Sequence, residues 1–273
     1  MGATVQFGFG ENWKGYISCI NEDRIRAAEL SLEEMLGKNA LRDKTFVDIG
    51  CGSGLFSLAA LRLGASRVVS FDYDEGCVAA ALEVKTRYAP GAGEWSVVPG
   101  SILDQAFVAS LGKFDHVCSW EVLHHTGELW KAVEMAAGMV KPDGILFIAL
   151  ANDQGLPSAF WKLVKKTYNH LPAALRPVYA AAFFLRFWFL TSVRDLLKGR
   201  MFSTLRAYRG RRGMSAWHDV IDWVGGFPFE VASPASVMDF CAGRGFSLVT
   251  QRPVRGHGCN EFVFKAGPAP DRR

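Results

Sequence analysis

The sequence predicts an α/β fold in which helices cover both faces of a Rossmann-like parallel sheet. Apolar strands alternate with helical segments from residue 45 to residue 150, and a glycine-rich turn follows the first strand. Such alternation requires crossover connections, which bury both faces of a parallel sheet. A chain of 273 residues is long enough for one domain of this kind with an insertion.

Each predicted strand is a short apolar run bounded by polar residues or a turn. The first five strands are residues 45–49, 67–71, 95–98, 116–119 and 145–150, with a turn at 141–144 before the fifth. Between them, helical spacing covers residues 55–63, 75–87, 103–111 and 128–140. Two more strands, 246–250 and 261–265, are close enough in sequence to pair antiparallel at a sheet edge.

The turn after the first strand reads Asp48-Ile49-Gly50-Cys51-Gly52-Ser53-Gly54. Glycines permit a sharp strand-to-helix turn and a close approach of ligand to backbone. Asp72 ends the second strand about 20 residues later, where a carboxylate can accept hydrogen bonds from ribose hydroxyls. These features predict a site for a cofactor that contains a nucleoside. A glycine turn that binds nothing is the alternative.

The glycine spacing discriminates between cofactors. A dinucleotide fingerprint, Gly-x-Gly-x-x-Gly/Ala, requires a small residue at position 55 or glycine or alanine at position 57. Leu55 and Ser57 stand there, which disfavours a pyrophosphate loop and with it a dehydrogenase. The pattern Asp-x-Gly-x-Gly-x-Gly instead resembles motif I of class I S-adenosyl-L-methionine (SAM) methyltransferases. The resemblance implies that the loop wraps the methionine end of SAM and that Asp72 holds the ribose.

Four further blocks lie at residues 119–127, 152–155, 222–230 and 258–264. Together they resemble a bacterial branch of the class I methyltransferases that is similar to the ubiquinone-biosynthesis O-methyltransferases. The resemblance covers nearly the whole chain and implies a seven-stranded sheet, N-terminal helices and a long helical insertion between strands 5 and 6. We expect a helical flap at 1–40, a SAM-binding domain at 41–151 and 246–273, and an acceptor-binding lid at 152–245.

The expected cofactor contacts lie in the glycine turn and after the second, third and fourth strands. They are Asp48, Gly50, Cys51, Gly52, Gly54, Asp72, Tyr73, Ser101, Ile102 and Trp120. Many members of the family have an acidic residue where Ser101 stands beside the adenine, and serine can still form a hydrogen bond there. The product of the cofactor would be S-adenosylhomocysteine.

Two adjacent histidines, His124 and His125, follow the fourth strand, and open α/β sheets bind ligands outside the carboxyl ends of their strands. Histidine titrates near neutral pH, so either ring could remove the proton of a methyl acceptor. His218 in the insertion is the third candidate base. The alternative is that the pair packs and caps at a helix N-terminus.

The expected acceptor contacts are Trp13, Glu121, Asn152, Trp217 and Trp223. Glu121 stands where the resembled branch is expected to have glycine, so it would reshape the floor of the acceptor pocket. No metal ion is predicted. A magnesium ion assisted by Asn152 and Asp153 is the alternative, although no further carboxylate ligand is identifiable in the sequence.

Two segments allow more than one interpretation. Residues 7–13, rich in aromatic side chains and glycine, begin either a helix pair packed on the sheet edge or a flap over the site. Residues 178–202, rich in Phe and Trp, form the core of a helical lid, an apolar acceptor pocket or a membrane-surface helix. In the last case Arg186, Arg194, Lys198 and Arg200 would lie on the polar side.

Composition restricts the partners. A net charge of +4 without a dominant basic run does not indicate nucleic acid. Six cysteines without Cys-x-x-Cys spacing, no signal-peptide pattern and no apolar stretch of membrane-spanning length predict a cytoplasmic protein. The predicted function is methyl transfer from SAM to a small molecule, to a hydroxyl rather than an amine. A non-catalytic SAM-binding regulatory or assembly subunit is the alternative, and the oligomeric state stays open.

Overall fold

The computed structural model describes residues 7–10, 17–18, 20–200, 203–204 and 216–268, apart from the side chains of Leu190 and His218. Among the expected site residues, Trp13 lies outside the described residues, and so does the side chain of His218. The structure therefore leaves the expected roles of these two side chains as predictions.

The strands are β1 Thr45–Ile49, β2 Arg67–Asp72, β3 Trp95–Pro99, β4 Phe114–Trp120, β5 Val140–Ala151, β6 Phe246–Arg252 and β7 Cys259–Ala266. They form one sheet in the order β3-β2-β1-β4-β5-β7-β6. Neighbours among β1 to β5 are parallel, whereas β7 is antiparallel to both β5 and β6. The predicted seven-stranded Rossmann-like sheet with an antiparallel ending is confirmed.

The helices of the sheet domain are α1 Glu22–Leu36, α2 Leu55–Arg62, α3 Glu75–Tyr88, α4 Gln105–Leu111 and α5 Leu129–Gly138. Between β5 and β6 follow α6 Leu156–His170, α7 Arg176–Leu197, α8 Ala216–Gly225 and α9 Pro234–Ala242. Side chains that accept backbone N–H bonds begin several of them: Asn21 caps α1, Asp74 caps α3 and Asp104 caps α4.

The start of β5 differs from the prediction. β5 begins at Val140 rather than Ile145, and α5 accordingly ends at Gly138. Phe114 of β4 pairs with Val140, and the register then shifts so that His116 pairs with Ile145. The predicted turn at residues 141–144 is an irregularity inside the strand, with Asp143 at φ +58°.

Two apolar cores lie on the two faces of the sheet. Adjacent residues of β1 point to opposite faces, so Phe46 packs in one core and Val47 in the other. The core around Phe46 includes Ile25 and Leu32, so α1 belongs to the helical layer of the sheet. The core around Val47 includes Val237 of α9, so the last part of the predicted insertion also covers the sheet.

Helices α6, α7 and α8 share a smaller third core, which Phe7 also contacts. Its buried members are Val164, Tyr168, Ala180, Val220 and Val224. No single helix among the described residues has the length and apolarity needed to cross a membrane. The segments Ala173–Phe189 and Thr191–Leu197 meet the criterion only as a pair bent by 42°. The division of the chain into flap, SAM-binding domain and lid stays a prediction.

Candidate active site

The candidate site lies at the carboxyl ends of β1 and β4, where the strand order reverses. At such a switch point the connections diverge to opposite faces and leave a crevice that open α/β sheets use for ligands. Here the loops after the two strands touch, because a Cβ atom at Gly50 would lie 2.3 Å from Cγ1 of Val122. With φ at +69°, Gly50 also has a conformation that favours glycine.

The glycine turn is held by backbone hydrogen bonds. The amides of Gly50 and Cys51 both donate to the carbonyl of Phe71, at 2.8 and 3.1 Å. Gly52 and Gly54 also have positive φ, and Gly54 precedes the first residue of α2. The turn is therefore fixed against the end of β2.

Asp72 connects that turn to the helix after β2. Its Oδ2 accepts the amide of Gly52 at 3.0 Å, and its Oδ1 accepts the amide of Asp74 at 2.9 Å. Burial raises the pKa of Asp72, whereas these two backbone bonds act in the opposite direction. The thiol of Cys77 also donates to this carboxylate, which leaves about one further lone pair to accept a ribose hydroxyl. This acceptor fits the nucleoside of SAM.

Asp48 lies beneath the turn and is hydrogen-bonded to protein. A buried chain runs from Trp95 Nε1 to Ser70 Oγ at 2.7 Å, to Ser57 Oγ at 2.6 Å and to Asp48 Oδ2 at 2.5 Å. Burial raises the pKa of Asp48 to about 6, although the Ser57 bond opposes this shift. Asp48 was predicted from the sequence, but Ser57, Ser70 and Trp95 were not, because their spacing gives no common pattern.

The other expected cofactor residues differ in exposure. Tyr73 and Trp120 are exposed, and Trp120 packs edge-on against Phe56 with ring centroids 4.9 Å apart. Ser101 Oγ accepts the amide of Leu103 at 3.2 Å, whereas Ile102 is buried in the core around Val47. The loop after β3 still reaches Asp72, because Gly100 donates its amide to the Asp72 carbonyl at 2.9 Å.

The two histidines lie together after β4, in a 3₁₀ turn at Leu123–His125. Their ring centroids are 4.3 Å apart. His125 Nδ1 donates to the carbonyl of Pro228 at 2.7 Å, which leaves Nε2 as an acceptor. His124 is buried, and its Nδ1 has no hydrogen-bond partner among the described residues. Burial lowers the pKa of His125 to about 3 and that of His124 well below its usual range, so both rings are neutral.

Lys165 of α6 is a buried cation that the sequence analysis missed. Its Nζ donates to the carbonyl of Trp223 near the end of α8 and lies 4.7 Å from the ring centroid of Phe229. Burial lowers the pKa of Lys165 to about 8, and Asp222 opposes that shift. Its charge contributes to the lowered pKa of both histidines. Helical spacing could have placed Lys165 on the inward face of α6, but not beside this strand end.

Glu121 and Cys259 form a second polar group at the same edge. Glu121 has φ +62°, a conformation in which glycine is favoured. The thiol of Cys259 donates to the Glu121 carboxylate, and burial together with that charge raises the pKa of Cys259. The carboxylate is thereby tied to the first residue of β7.

The remaining expected acceptor residues are not all placed together. Asn152 uses its side chain to hold the β6–β7 connection, since Oδ1 accepts from Asn260 at 2.9 Å and Nδ2 donates to Gly256 at 3.2 Å. Trp223 faces Trp161 edge-on at 4.0 Å, beside Lys165. Trp217 packs against Phe184 in the core of the insertion. Among the described residues, no three His, Cys, Asp or Glu side chains are placed to hold a metal ion.

Residues 7–10 reach across the crevice. The amide of Phe7 donates to the carbonyl of Phe227 at 2.9 Å, and the amide of Gly10 donates to Asp74 Oδ2 at 2.9 Å. Between them, the ring of Phe9 lies 5.4 Å from that of His125. We call residues 7–10 the strap. It connects the insertion with the ends of β2 and β4.

The part of the chain that carries the glycine turn and the histidine pair matches known sequences. Residues 47–148 match a family model described as a methyltransferase domain. Over 120 residues the chain is 34% identical to a ubiquinone biosynthesis O-methyltransferase from Methylobacterium sp. (strain 4-46). The alignment covers 43% of this chain and 45% of that relative, so this chain spans less than half of the relative's length.

Two solved structures share the fold. An O-methyltransferase family protein from Burkholderia thailandensis has a TM-score of 0.57 at 16% identity, over 90% of this chain and 58% of that one. A magnesium protoporphyrin IX methyltransferase from Synechocystis PCC 6803 with bound S-adenosylhomocysteine has a TM-score of 0.53 at 15% identity. The match covers 91% of this chain and 89% of that one. Residues 47–148 therefore form a methyltransferase domain, and the glycine turn with Asp72 fits SAM as its cofactor.

Proposed function

We propose that the protein transfers a methyl group from SAM to a hydroxyl group of a small-molecule acceptor. The observation that carries the proposal is the cluster of His124, His125 and Lys165 at the carboxyl end of β4, beside the glycine turn. The name of the Methylobacterium relative supports oxygen as the accepting atom.

The chain would hold the cofactor through the glycine turn and Asp72. When bound, SAM supplies a methyl group that its sulfonium makes electrophilic. Asp72 would bind the nucleoside, the glycine turn would lie against the methionine end, and the loop after β4 would position the acceptor. Orientation of this kind can contribute about 7–11 kcal/mol to a displacement reaction.

The histidines would orient the acceptor hydroxyl. His125 is neutral, and its Nε2 lone pair is available because Nδ1 donates to Pro228. Within the described part of the chain the buried Nδ1 of His124 has no hydrogen-bond partner, which makes it a second candidate contact for a polar ligand. Phe9, Phe229 and Trp223 border this region, and they favour an acceptor with an apolar or aromatic body.

Lys165 would take the acceptor's proton. A general base acts best when its pKa lies near the working pH. The pKa of His125, about 3, is too low for this, whereas the pKa of Lys165, about 8, is suitable. Burial also lowers the pKa of His124 well below its usual range, so of the three histidines only His218 stays a candidate for the same role. The structural alternative is that Lys165 only caps the carbonyl end of α8.

The cofactor assignment is tested by calorimetry with SAM, S-adenosylhomocysteine and NAD. We expect binding of the first two and none of NAD. Asp72→Ala removes a charged acceptor, which contributes roughly 1.5–3 kcal/mol, so SAM affinity should fall at least about tenfold. Asp23→Ala on the exposed side of α1 is the matched control. Tight NAD binding without SAM binding would contradict the assignment.

The base is tested with a panel of phenols, aliphatic alcohols and amines, by transfer of a labelled methyl group. In the wild type, kcat should rise with pH through about 8 as Lys165 loses its proton. Lys165→Met should abolish this rise and lower kcat by roughly 10²–10⁴-fold, with SAM affinity nearly unchanged. Lys162→Met, on the exposed face of α6, is the control.

The same assays compare His124→Ala, His125→Ala and His218→Ala. An orienting histidine should raise KM for the hydroxyl compound more than it changes SAM affinity. Near-wild-type rates in these three variants and in Lys165→Met would leave positioning by the backbone as the source of catalysis. Turnover of amines but of no hydroxyl compound would overturn the proposed acceptor class.

A further inference from the structure

Helix α6 presents apolar side chains on its outward face as well as its inward face. Leu156, Phe160 and Leu163 recur at helical spacing and are between 55% and 86% exposed. The opposite face of the helix is buried through Val164 and Tyr168, which belong to the core of the insertion. The outward stripe is therefore not needed for that core.

Helix α7 repeats the pattern over a greater length. Val178, Leu185 and Phe189 follow one face at helical spacing before the 42° bend, and Leu196 lies beyond it. All four are between 58% and 68% exposed. Ala180 on the inward face is fully buried. Contiguous exposed apolar surface of this kind marks a contact site, since scattered exposed leucines are ordinary but stripes are not.

The charge around both stripes has one sign. Residues 156–200 contain eight Lys or Arg and a single acidic residue, Asp195. Asp195 is buried and accepts the amide and hydroxyl of Thr204, at 2.7 and 2.8 Å. Of the eight cations only Lys165 is buried. The surface of this segment is thus apolar and cationic, with no acidic side chain.

We propose that the outward faces of α6 and α7 bind an anionic membrane surface, with both helices lying along the interface. Apolar stripes flanked by Lys and Arg favour insertion at the boundary between lipid head groups and acyl chains. Each cation near an anionic leaflet strengthens binding, roughly fivefold per Lys or Arg. A second copy of this chain is disfavoured as the occupant because two cationic faces would meet. The proposal does not depend on the methyl acceptor.

The test is co-sedimentation of the full chain with vesicles of phosphatidylglycerol and phosphatidylcholine in equal parts. We expect binding at low salt that weakens as salt rises, and at least tenfold weaker binding to vesicles of phosphatidylcholine alone. A doubly substituted variant, Leu185→Glu with Phe189→Glu, should lose binding to both types of vesicle. Lys162→Glu with Lys166→Glu should weaken binding to the anionic vesicles at least about tenfold.

Each control carries one substitution of the same kind elsewhere. Val249→Glu changes a similarly exposed residue of β6, and Lys38→Glu changes an exposed cation after α1. Both should bind anionic vesicles like the wild type. Circular dichroism melting of every variant separates loss of binding from loss of folding. Equal binding of the wild type to both vesicle types would overturn the proposal. So would wild-type affinity for the anionic vesicles in both the α6 and the α7 double variants. Self-association of the wild type that these variants abolish would assign the face to a second copy instead.

Discussion

Glu121 combines a backbone conformation that favours glycine with a side chain that makes a contact. Its φ of +62° costs a residue with a β-carbon roughly 1–2 kcal/mol. The carboxylate in return accepts the thiol of Cys259 at the start of β7. Glycine is expected here in the resembled branch, and the backbone conformation gives the physical reason for that expectation.

At this position glycine should be more stabilising than alanine, the reverse of their usual order. We expect Glu121→Gly to have a free energy of unfolding about 1 kcal/mol above that of Glu121→Ala, because only alanine keeps the strained conformation. Urea denaturation measures the difference. The control pair is Glu83→Gly and Glu83→Ala, in the exposed interior of α3, where alanine should be favoured by about 1 kcal/mol. The same order at both positions would contradict the strain at Glu121.

Asp48 should make stability depend on pH in the mildly acidic range. Its pKa is about 6 in the folded protein against an ordinary value of 3.8, so between these values the folded state holds a proton that the unfolded state has lost. The free energy of unfolding therefore falls as pH rises from about 4 to 6, by up to about 3 kcal/mol from this residue. Asp48→Asn removes this dependence and should be more stable than the wild type near neutral pH.

Thermal unfolding of both proteins across this range measures the effect as a difference. The subtraction is necessary because His124 and His125 have lowered pKa values in the folded protein. Their contribution to the free energy of unfolding therefore falls as pH falls through the same range. Asp23→Asn on the exposed side of α1 is the control and should follow the wild type. A constant difference between Asp48→Asn and the wild type would show that Asp48 does not titrate there.

At the scale of elements, local signals predicted the first half of the fold well. β1 was predicted to the residue, and α2 to within one, because an apolar run meets glycines that fix its end. The predicted start of β5 was wrong because the register shift depends on the partner strand, which no local sequence pattern indicates. Helix α9 was not predicted, although Ser233 before Pro234 is a helix start signal.

The site was predictable to a similar extent. The glycine turn and Asp72 are adjacent in the fold because consecutive βα units bring their ends to one edge, so sequence order was sufficient. Lys165 lies on the insertion, and its position beside His125 depends on how α6 packs against α8. Packing of that kind is set by contacts between residues far apart in sequence. For example, Asn169 Nδ2 donates to the carbonyl of Gly225 at 2.6 Å.

At the scale of the whole molecule, the strap joins parts of the chain that are distant in sequence. We expect S-adenosylhomocysteine to slow hydrogen exchange in residues 7–10 and in α6 and α8, because a bound nucleoside would fix Asp72 and the strap beside it. Peptides from β6, at the far edge of the sheet, are the internal control. Equal exchange in the strap with and without the ligand would show that it serves only as scaffold.

The bond from Gly10 to Asp74 also imposes an order of events. Asp74 caps α3 two residues after Asp72, and the strap continues from there to His125. A nucleoside on Asp72 would therefore lie beside the strap. If it enters and departs on that side, each turnover includes two chain rearrangements in which no covalent bond changes, one before the cofactor is seated and one before the spent cofactor is released. The rate at which residues 7–10 detach would then set an upper limit on the frequency of the cycle.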